Sequence, residues 1–366
     1  MPADRHAARR QKLIRAIRRE SADALLVTNF TNVSYLTGFS GDDSHLLIGP
    51  SATVLISDSR YTTQLQQECP GLDLHIRGPG KSMTDAAAKV VARAKLATVG
   101  FESGSLTYDQ WHALAAQTKS ADLKPLSGLV EKLRLVKDSH EIAEIRKAVY
   151  QAEHGFQAFR ACLLGDMTER RAAHELEHSM RRFGAVGASF APIVAVGSQS
   201  ALPHARPTDR EIGESSFVLV DWGATAVQGY KSDLTRIIVT GKISPKLARI
   251  YRVVLNAQRI GIDSIRPGLR CCDVDQAARK SIANAGYGKN FGHGLGHGIG
   301  LDIHEGPRLG PSSTETLKPG MVVTVEPGVY LPGWGGIRIE DDVLVTRDGC
   351  EVLTSTPKEL QEAVLE

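Results

Sequence analysis

The amino-acid sequence predicts an α+β protein with a small α/β domain at the N-terminus and a larger domain of strands flanked by helices. The chain has 366 residues, and at about 150 residues per domain two domains are expected. Short β-forming runs alternate with helical patterns in its first third, and longer runs of both kinds follow. The later part also carries a faint internal repeat, in which a β-forming run ends in a carboxylate.

Composition excludes several classes of protein. The chain is 42% hydrophobic and 23% charged with a formal net charge of +3, which fits a soluble protein and gives no sign of a nucleic-acid partner. Its five cysteines contain no C-x-x-C pair and favour neither a disulfide framework nor a structural zinc site. The basic N-terminus lacks the apolar core of a secretory signal, and no apolar run approaches the ~20 residues of a membrane span. We therefore expect a cytoplasmic protein that binds neither nucleic acid nor membrane.

The predicted first domain covers residues 1–130. It begins with a helix whose apolar stripe is Leu13, Ile14 and Ile17. Serine or threonine stands near the start of each of two further helices, predicted over 82–94 and 107–117. Buried strands are predicted over 23–28, 45–49, 53–58 and 97–102. A linker region is expected over 127–139.

The predicted second domain covers residues 131–366. Helical patterns occupy 139–164, 169–183, 244–265 and 274–286. Strongly β-forming segments occupy 216–224, 233–240, 321–330 and 336–346. Thr168 can cap the second of these helices, and a glycine ends the fourth.

Residues 291–305, FGHGLGHGIGLDIHE, place glycine at every second position from 292 to 300. Each glycine would cost a helix roughly 1 kcal/mol, whereas a period of two is that of an extended strand. A strand would show bare backbone on one face and His293, Leu295, His297 and Ile299 on the other. Glycine in a strand marks close approach of a backbone or a ligand. The alternative is a flexible loop with stray histidines.

The internal repeat brings pairs of carboxylates together. One β-forming run ends in Asp221 and the other in Glu326, and a second carboxylate returns at Asp233 and at Glu340. A hairpin would set the two carboxylates of each half side by side. Because a carboxylate on a buried strand is costly unless paired or bound to metal, its occurrence twice favours metal. Four carboxylates and one imidazole would roughly neutralise two divalent cations, and ligation without thiolate favours Mn²⁺, Co²⁺ or Fe²⁺.

Five motifs occur in an order that resembles the pita-bread metallopeptidase family, which includes aminopeptidase P, prolidase and methionine aminopeptidase. The motifs are VDWGA, SDLTR, HGLGHGIGLDIHE, VEPGVY and GIRIED. TNVSYLTGF and the DSRY at 58–61 resemble the companion domain of aminopeptidase P, prolidase and creatinase, which methionine aminopeptidases generally lack. The resemblance implies a creatinase-like domain before a pita-bread catalytic domain with a pseudo-twofold repeat, and a homodimer.

The resemblance also implies the site residues. Its metal ligands are Asp221, Asp233, His297, Glu326 and Glu340, which hold two divalent ions per subunit, Mn²⁺ first and Co²⁺, Fe²⁺ or Zn²⁺ as alternatives. Glu326 also accepts the proton of the attacking water. His204, in LPHARP, matches a histidine that contacts the scissile carbonyl. His304, in DIHE, matches one that bonds the substrate and its tetrahedral intermediate.

Further positions would contact substrate or orient the ligands. His293 lines the pocket, and Tyr330 and Arg338 match positions that orient metal ligands. Lys231 departs from the family pattern, in which a small or apolar residue is common. It would either lower metal affinity or point outward.

The predicted function is hydrolysis of the bond between an N-terminal residue and proline in small peptides. Arg308 matches a position at which prolidases carry an arginine for the free carboxylate of proline. This narrowly favours an Xaa-Pro dipeptidase over an aminopeptidase P that acts on longer peptides. Two other functions stay open. One is a creatinase-like hydrolase or binding module that has lost ligands, and the other is a non-catalytic protein that keeps its metals. All five ligands are present, which disfavours the first of these.

Overall fold

The computed structural model describes residues 5–365, so the outermost ends of the two predicted domains, residues 1–4 and 366, lie outside it. The chain divides after Arg134 into two compact units, whereas the sequence pattern had put the boundary after residue 130. Among the helices of the described residues, none is long and apolar enough to cross a membrane.

Within the described residues, the first unit contains six α-helices and six strands. The helices are α1 (Arg5–Arg19), α2 (Phe30–Thr37), α3 (Thr62–Glu68), α4 (Met83–Ala94), α5 (Tyr108–Gln117) and α6 (Leu129–Arg134). The strands are β1 (Ala24–Val27), β2 (His45–Ile48), β3 (Thr53–Asp58), β4 (Asp73–Arg77), β5 (Thr98–Glu102) and β6 (Asp122–Leu126). They form one mixed sheet in the order β4-β3-β2-β1-β5-β6. This is the α/β arrangement that the sequence predicted.

Caps and burial explain why the predicted elements of this unit form. Ser82 and Thr107 each accept a hydrogen bond from the backbone three residues on, at the starts of α4 and α5.

Strands β4 and β6, which were not predicted from the amino-acid sequence, are the two edge strands of the sheet. Most of their residues are partly or fully exposed, and Pro125 lies within β6. The pattern of apolar residues that would predict a strand is therefore weak in both.

As far as the structure describes it, the second unit contains four α-helices and twelve strands. The helices are α7 (Ser139–Cys162), α8 (Glu169–Arg182), α9 (Pro245–Ser264) and α10 (Cys271–Asn284). The first six strands are β7 (Gly187–Ala188), β8 (Ile193–Val196), β9 (Phe217–Trp222), β10 (Ala224–Thr225), β11 (Leu234–Val239) and β12 (Gly296–Gly298). The last six are β13 (Glu305–Leu309), β14 (Val322–Val325), β15 (Gly328–Leu331), β16 (Gly335–Arg338), β17 (Asp341–Val345) and β18 (Cys350–Val352).

Two helix pairs each precede an antiparallel sheet, which gives this unit its internal repeat. Helix α7 packs on α8 before the sheet β11-β9-β8, and α9 packs on α10 before the sheet β13-β12-β14-β17-β18. A bridge between Thr235 and Glu340 links the two sheets. Strand β9 is buried on both faces, since Val218 and Val220 pack with α7 and α8 while Leu219 packs with α9 and α10. The predicted α+β class is confirmed.

Two predicted strands are each broken once in the structure. The segment 321–330 divides into β14 and β15 at Glu326 and Pro327, and the segment 336–346 divides into β16 and β17 at Ile339 and Glu340. Pro327 has no N–H to donate to a ladder. Val325 pairs with Asp341, so Glu326 and Glu340 stand one residue beyond the last pair, where the strands separate.

The prediction of one continuous strand through the glycine-rich segment is wrong outside Gly296–Gly298. The pairing with β13 shifts register between His297 and Gly298, and such a bulge turns the side chains that follow it. The expected close approach of backbone is confirmed inside the strand. A Cβ on Gly296 would lie 2.0 Å from the Thr324 carbonyl oxygen, and one on Gly298 would lie 1.9 Å from that of Gly306.

Candidate metal centre

A cavity of about 510 Å³ in the second unit collects the residues that the sequence singled out. Those that line it are Asp221, Asp233, His297, Glu326, Glu340, His204, His293, His304, Arg308 and Arg338. Tyr330 is not among its lining residues but bonds two of them.

The acidic floor of the cavity comes from the ends and breaks of the strands. Asp221 lies within β9, Asp233 just precedes β11, and Glu326 and Glu340 stand at the breaks described above. The side-chain ligand atoms of Asp233, His297 and Glu340 lie within 4.8 Å of one another. Nε2 of His297 is 3.4 Å from Oε1 of Glu326 and 3.6 Å from Oδ2 of Asp233. These side chains could therefore share cations.

The orientation of His297 suits a ligand. Its Nδ1 lies 3.1 Å from the carbonyl oxygen of Gly298, and since a carbonyl can only accept, Nδ1 carries the hydrogen. The lone pair is therefore on Nε2, the atom that faces the carboxylates. Burial lowers the pKa of His297 to about 3, so the ring is neutral, as metal binding requires.

The carboxylates are crowded enough to need cations. Burial is the largest cause that raises the pKa of Asp233 and Glu340 well above the ordinary values, and neighbouring carboxylates add to it. Burial also raises the pKa of Asp221, against the effect of Arg338, and that of Glu326 to about 7. Oδ1 of Asp221 is buried without a hydrogen-bond partner among the described residues. Divalent cations would relieve both the repulsion and the unmet acceptor, so the donor set fits them.

Arg338 is the basic side chain built into this acidic floor. Its Nη2 donates to Oδ2 of Asp221 at 2.5 Å, Nε to Oγ1 of Thr235 at 3.0 Å, and Nη1 to the Tyr330 hydroxyl at 2.9 Å. Thr235 in turn donates to Oε2 of Glu340 at 2.6 Å. Arg338 and Thr235 therefore fix the orientation of one carboxylate from each half of the repeat.

Both ring nitrogens of His293 are occupied by hydrogen bonds. Nδ1 lies 2.8 Å from the carbonyl oxygen of Gly294 and so must donate, which leaves Nε2 to accept from the Tyr330 hydroxyl at 2.9 Å. Burial lowers the pKa of His293 to about 4. The ring faces the cavity but has no free nitrogen for a cation.

Three exposed side chains lie at the cavity. His204, His304 and Arg308 are exposed, and all three line the cavity. The ring of His304 packs edge-on against that of His297, with centroids 4.5 Å apart. A substrate over the acidic floor would thus meet two imidazoles and a guanidinium.

Both units of the chain match known protein families. The model of metallopeptidase family M24 matches residues 143–347, more than half of the chain, and the creatinase/prolidase N-terminal domain matches residues 9–136.

The chain belongs to metallopeptidase family M24.

Its similarity to individual M24 proteins extends over the whole chain. A solved structure of an Xaa-Pro dipeptidase from Bacillus anthracis is 40% identical with a TM-score of 0.93, covering 97% of this chain and 99% of that one. An Xaa-Pro dipeptidase from Pyrococcus horikoshii is 36% identical over 96% of this chain and 97% of its own length. The structure of an X-Pro aminopeptidase from Thermotoga maritima is 35% identical with a TM-score of 0.86, over 94% and 99% of the two chains. The fold of the second unit is the pita-bread fold that the resemblance implied.

Lys231, the departure from the family pattern, does not line the cavity. Its Nζ donates to Oγ1 of Thr225 at 3.1 Å and its backbone N–H to the carbonyl oxygen of Gly300 at 2.9 Å. Burial lowers the pKa of its amine. Lys231 therefore joins two segments of this M24 protein by hydrogen bonds and lies outside the cavity lining.

Several residues at the cavity or bonded to its carboxylates were not predicted from the amino-acid sequence. Thr235 and Thr324 each lie two residues from a carboxylate, and Thr324 donates to Oε1 of Glu326 at 3.1 Å. The period of two that placed the carboxylates could have found both threonines. No such signal marks Phe190, Ile193 and Arg206, which line the cavity from a loop, a strand and another loop.

Proposed function

We propose that the protein is an Xaa-Pro dipeptidase that uses two divalent cations to hydrolyse the bond between an N-terminal residue and proline. The observation that carries the proposal is the convergence of Asp221, Asp233, His297, Glu326 and Glu340 on one cavity that Arg308 also lines. Full-length similarity to proteins named Xaa-Pro dipeptidase supports it.

The five converging side chains would hold the cations. Four carboxylates and one imidazole without a thiolate favour Mn²⁺, with Co²⁺, Fe²⁺ and Zn²⁺ as alternatives. When bound, such cations polarise the scissile carbonyl and lower the pKa of the attacking water.

The protein's own groups would handle the protons and the substrate. Glu326 faces the cavity and accepts the proton of the attacking water, while Thr324 holds its carboxylate in place. His204 and His304 donate N–H groups to the substrate carbonyl and to the tetrahedral intermediate. Each role needs a side chain at the cavity, and all three line it.

Proline suits the apolar part of the cavity wall. The amide nitrogen of a proline carries no hydrogen, so the wall beside it needs no acceptor. Phe190, Ile193 and Ile303 supply apolar surface there. Peptides that present an N–H at this position would leave that donor unsatisfied.

Arg308 supports the dipeptidase over the aminopeptidase. Its exposed guanidinium lines the cavity and matches the fork geometry of a free carboxylate, which a dipeptide presents on its proline. The second candidate is an Xaa-Pro aminopeptidase for longer peptides, favoured by the similarity to the X-Pro aminopeptidase structure.

We also propose that the protein is a cytoplasmic homodimer. All five cysteines are free thiols, which suits a reducing compartment. Dimerisation rests on the family resemblance alone.

Cleavage of a peptide panel by the Mn²⁺-loaded protein tests the proposal. Xaa-Pro dipeptides should be hydrolysed faster than Xaa-Pro-Yaa tripeptides, and Xaa-Ala dipeptides should resist. A tenfold preference for tripeptides would make the protein an aminopeptidase. Metal-loaded protein that cleaves none of the panel would make it a non-catalytic metal-binding protein.

A further inference from the structure

The loop that carries His204 is tied down on the side of β16. Oγ of Ser200 accepts from the backbone N–H of Gly336 at 2.7 Å and donates to the carbonyl oxygen of Gly197 at 2.6 Å. Ser200 and Gly197 precede His204 in the chain, and Gly336 belongs to β16. One end of the loop is thus fixed to the strand that bears Arg338.

Glu169 joins the two ends of the same loop. It is the first residue of α8 and is 0% exposed. One carboxylate oxygen accepts from the backbone N–H of Val196 at 2.7 Å. The other accepts from the backbone N–H of Thr208 at 2.7 Å and from its hydroxyl at 2.6 Å. Val196 precedes the loop and Thr208 follows His204, so one side chain closes the whole segment.

Helix capping does not account for these contacts. Thr168 caps α8 by accepting from the backbone N–H of Arg171, and the bonds to the Glu169 carboxylate all come from outside the helix. No ion pair to Glu169 is present among the described residues. A buried anion of this kind is stable only while its hydrogen bonds are made, and bonds to a charged acceptor are shorter and stronger than neutral ones. The carboxylate therefore holds Val196 and Thr208 in place.

We propose that Glu169 is a positioning residue that holds the loop 197–208 so that His204 faces the substrate. Glu169 does not line the cavity and acts only through the loop. The role of His204 in this inference rests on the proposed function.

Substitutions at both ends of the contact test the proposal. Glu169→Gln replaces one carboxylate oxygen with an NH2 group, which cannot accept and leaves the donors of either Val196 or Thr208 without a partner. Thr208→Val removes one of the three bonds at nearly constant volume, and Thr208→Ser restores the hydroxyl. Glu175→Gln, the same change elsewhere on α8, is the matched control.

We expect kcat for Xaa-Pro dipeptides to fall by up to about 10²-fold in Glu169→Gln, the scale of a small misplacement of a reacting group. KM and metal content should change little, Thr208→Val should lie between, and Thr208→Ser and Glu175→Gln should retain most of the wild-type kcat.

A double-mutant cycle separates positioning from general stability. In a His204→Ala background, Glu169→Gln should cause almost no further loss of kcat, because the group that it positions is gone. Losses that multiply in the double variant, or a wild-type kcat in Glu169→Gln, would overturn the proposal. If Glu169→Gln does not fold, the same cycle with Thr208→Val decides in the same way.

Amide hydrogen exchange tests the anchor without any activity. Exchange over residues 196–210 should be faster in Glu169→Gln and Thr208→Val than in the wild type, and Thr208→Ser should restore protection. Unchanged exchange in both variants would overturn the anchor. A wild type that cleaves no Xaa-Pro peptide would instead overturn the proposed function, while the exchange measurement would still report on Glu169.

Discussion

The two carboxylates from the first half of the M24 repeat lie in different electrostatic settings. Asp221, from the first half, lies within a continuous strand and accepts from Arg338, which belongs to the second half. Among the described residues, no arginine or lysine bonds the carboxylate of Asp233, and its pKa is raised by burial first and then by Glu340 and the other nearby carboxylates. One carboxylate of the first half is therefore partly neutralised by the protein, and the other depends on cations.

The two halves of the repeat are also cross-linked by hydrogen bonds, since each supplies a donor to a carboxylate of the other. The second half supplies Arg338 to Asp221, and the first half supplies Thr235 to Glu340. Glu326 differs, because its hydroxyl donor, Thr324, comes from its own half. The comparison teaches that the internal repeat is not two independent sites but one site whose orientation is set across the repeat.

Removal of metal should have the largest effect. Exhaustive chelation should abolish peptide cleavage and lower the thermal midpoint, because uncompensated carboxylates destabilise the folded state. Hydrogen exchange should rise more around Asp233 than around Asp221, which keeps Arg338. Full activity in metal-free protein would contradict the two-cation proposal, and equal exchange at the two positions would contradict the asymmetry.

Glu326→Gln should remove most of the turnover and leave the fold intact. The amide keeps the shape but loses the proton acceptor, and we expect kcat to fall by about 10²–10⁴-fold. His204→Ala and His304→Ala should retain metal and lose kcat on the same scale. Metal content, thermal melting and kcat of the three variants would be measured together. If His304→Ala loses metal while His297→Ala keeps it, the assignment of the ligand histidine is wrong.

Arg308→Ala should weaken cleavage of dipeptides by about 1.5–3 kcal/mol, the scale of a hydrogen bond to a charged group. Cleavage of Xaa-Pro-Yaa tripeptides should change little, since their proline carries no free carboxylate. Arg206→Ala is the control, because Arg206 is another exposed arginine that lines the cavity. The kcat/KM values of both variants on both substrates decide the matter. Equal losses on dipeptides and tripeptides would favour the aminopeptidase.

Thr235→Val should destabilise the metal-free protein more than Thr324→Val does. Loss of the Thr235 hydroxyl leaves Nε of Arg338 and Oε2 of Glu340 buried without their partner, at a cost of about 1–3 kcal/mol. Thr324→Val leaves only one buried group without its partner, the backbone N–H of His297. Glu326 is partly buried, so water can replace the Thr324 donor there. Urea unfolding of both variants, with Thr235→Ser as the control, measures the difference. A larger loss in Thr324→Val would contradict the cross-linked arrangement.

The amino-acid sequence was most informative where a residue pattern repeats. The alternation of strand residues and the doubled carboxylate motif predicted which side chains the structure brings to one cavity, such as Asp221 and Glu340. The break at Glu340 was not predictable in this way, because β-forming residues continue on both sides of it. Pro327 does mark the break beside Glu326. Strand β4 was missed because an edge strand carries a weak apolar signal, and Glu169 because its partners, Val196 and Thr208, are distant in the chain.

The alternating glycines determine how much sequence variation the segment from 292 to 300 can tolerate. Gly296 and Gly298 lie against the carbonyl oxygens of Thr324 and Gly306, so even alanine there would force backbone apart beside His297. Gly292 has no atom within 4 Å of the place where a Cβ would stand. A library that randomises this segment should therefore recover active clones with diverse residues at position 292 and almost only glycine at 296 and 298. Directed evolution of the enzyme could therefore vary position 292, at the start of this segment, but not positions 296 and 298 at its centre.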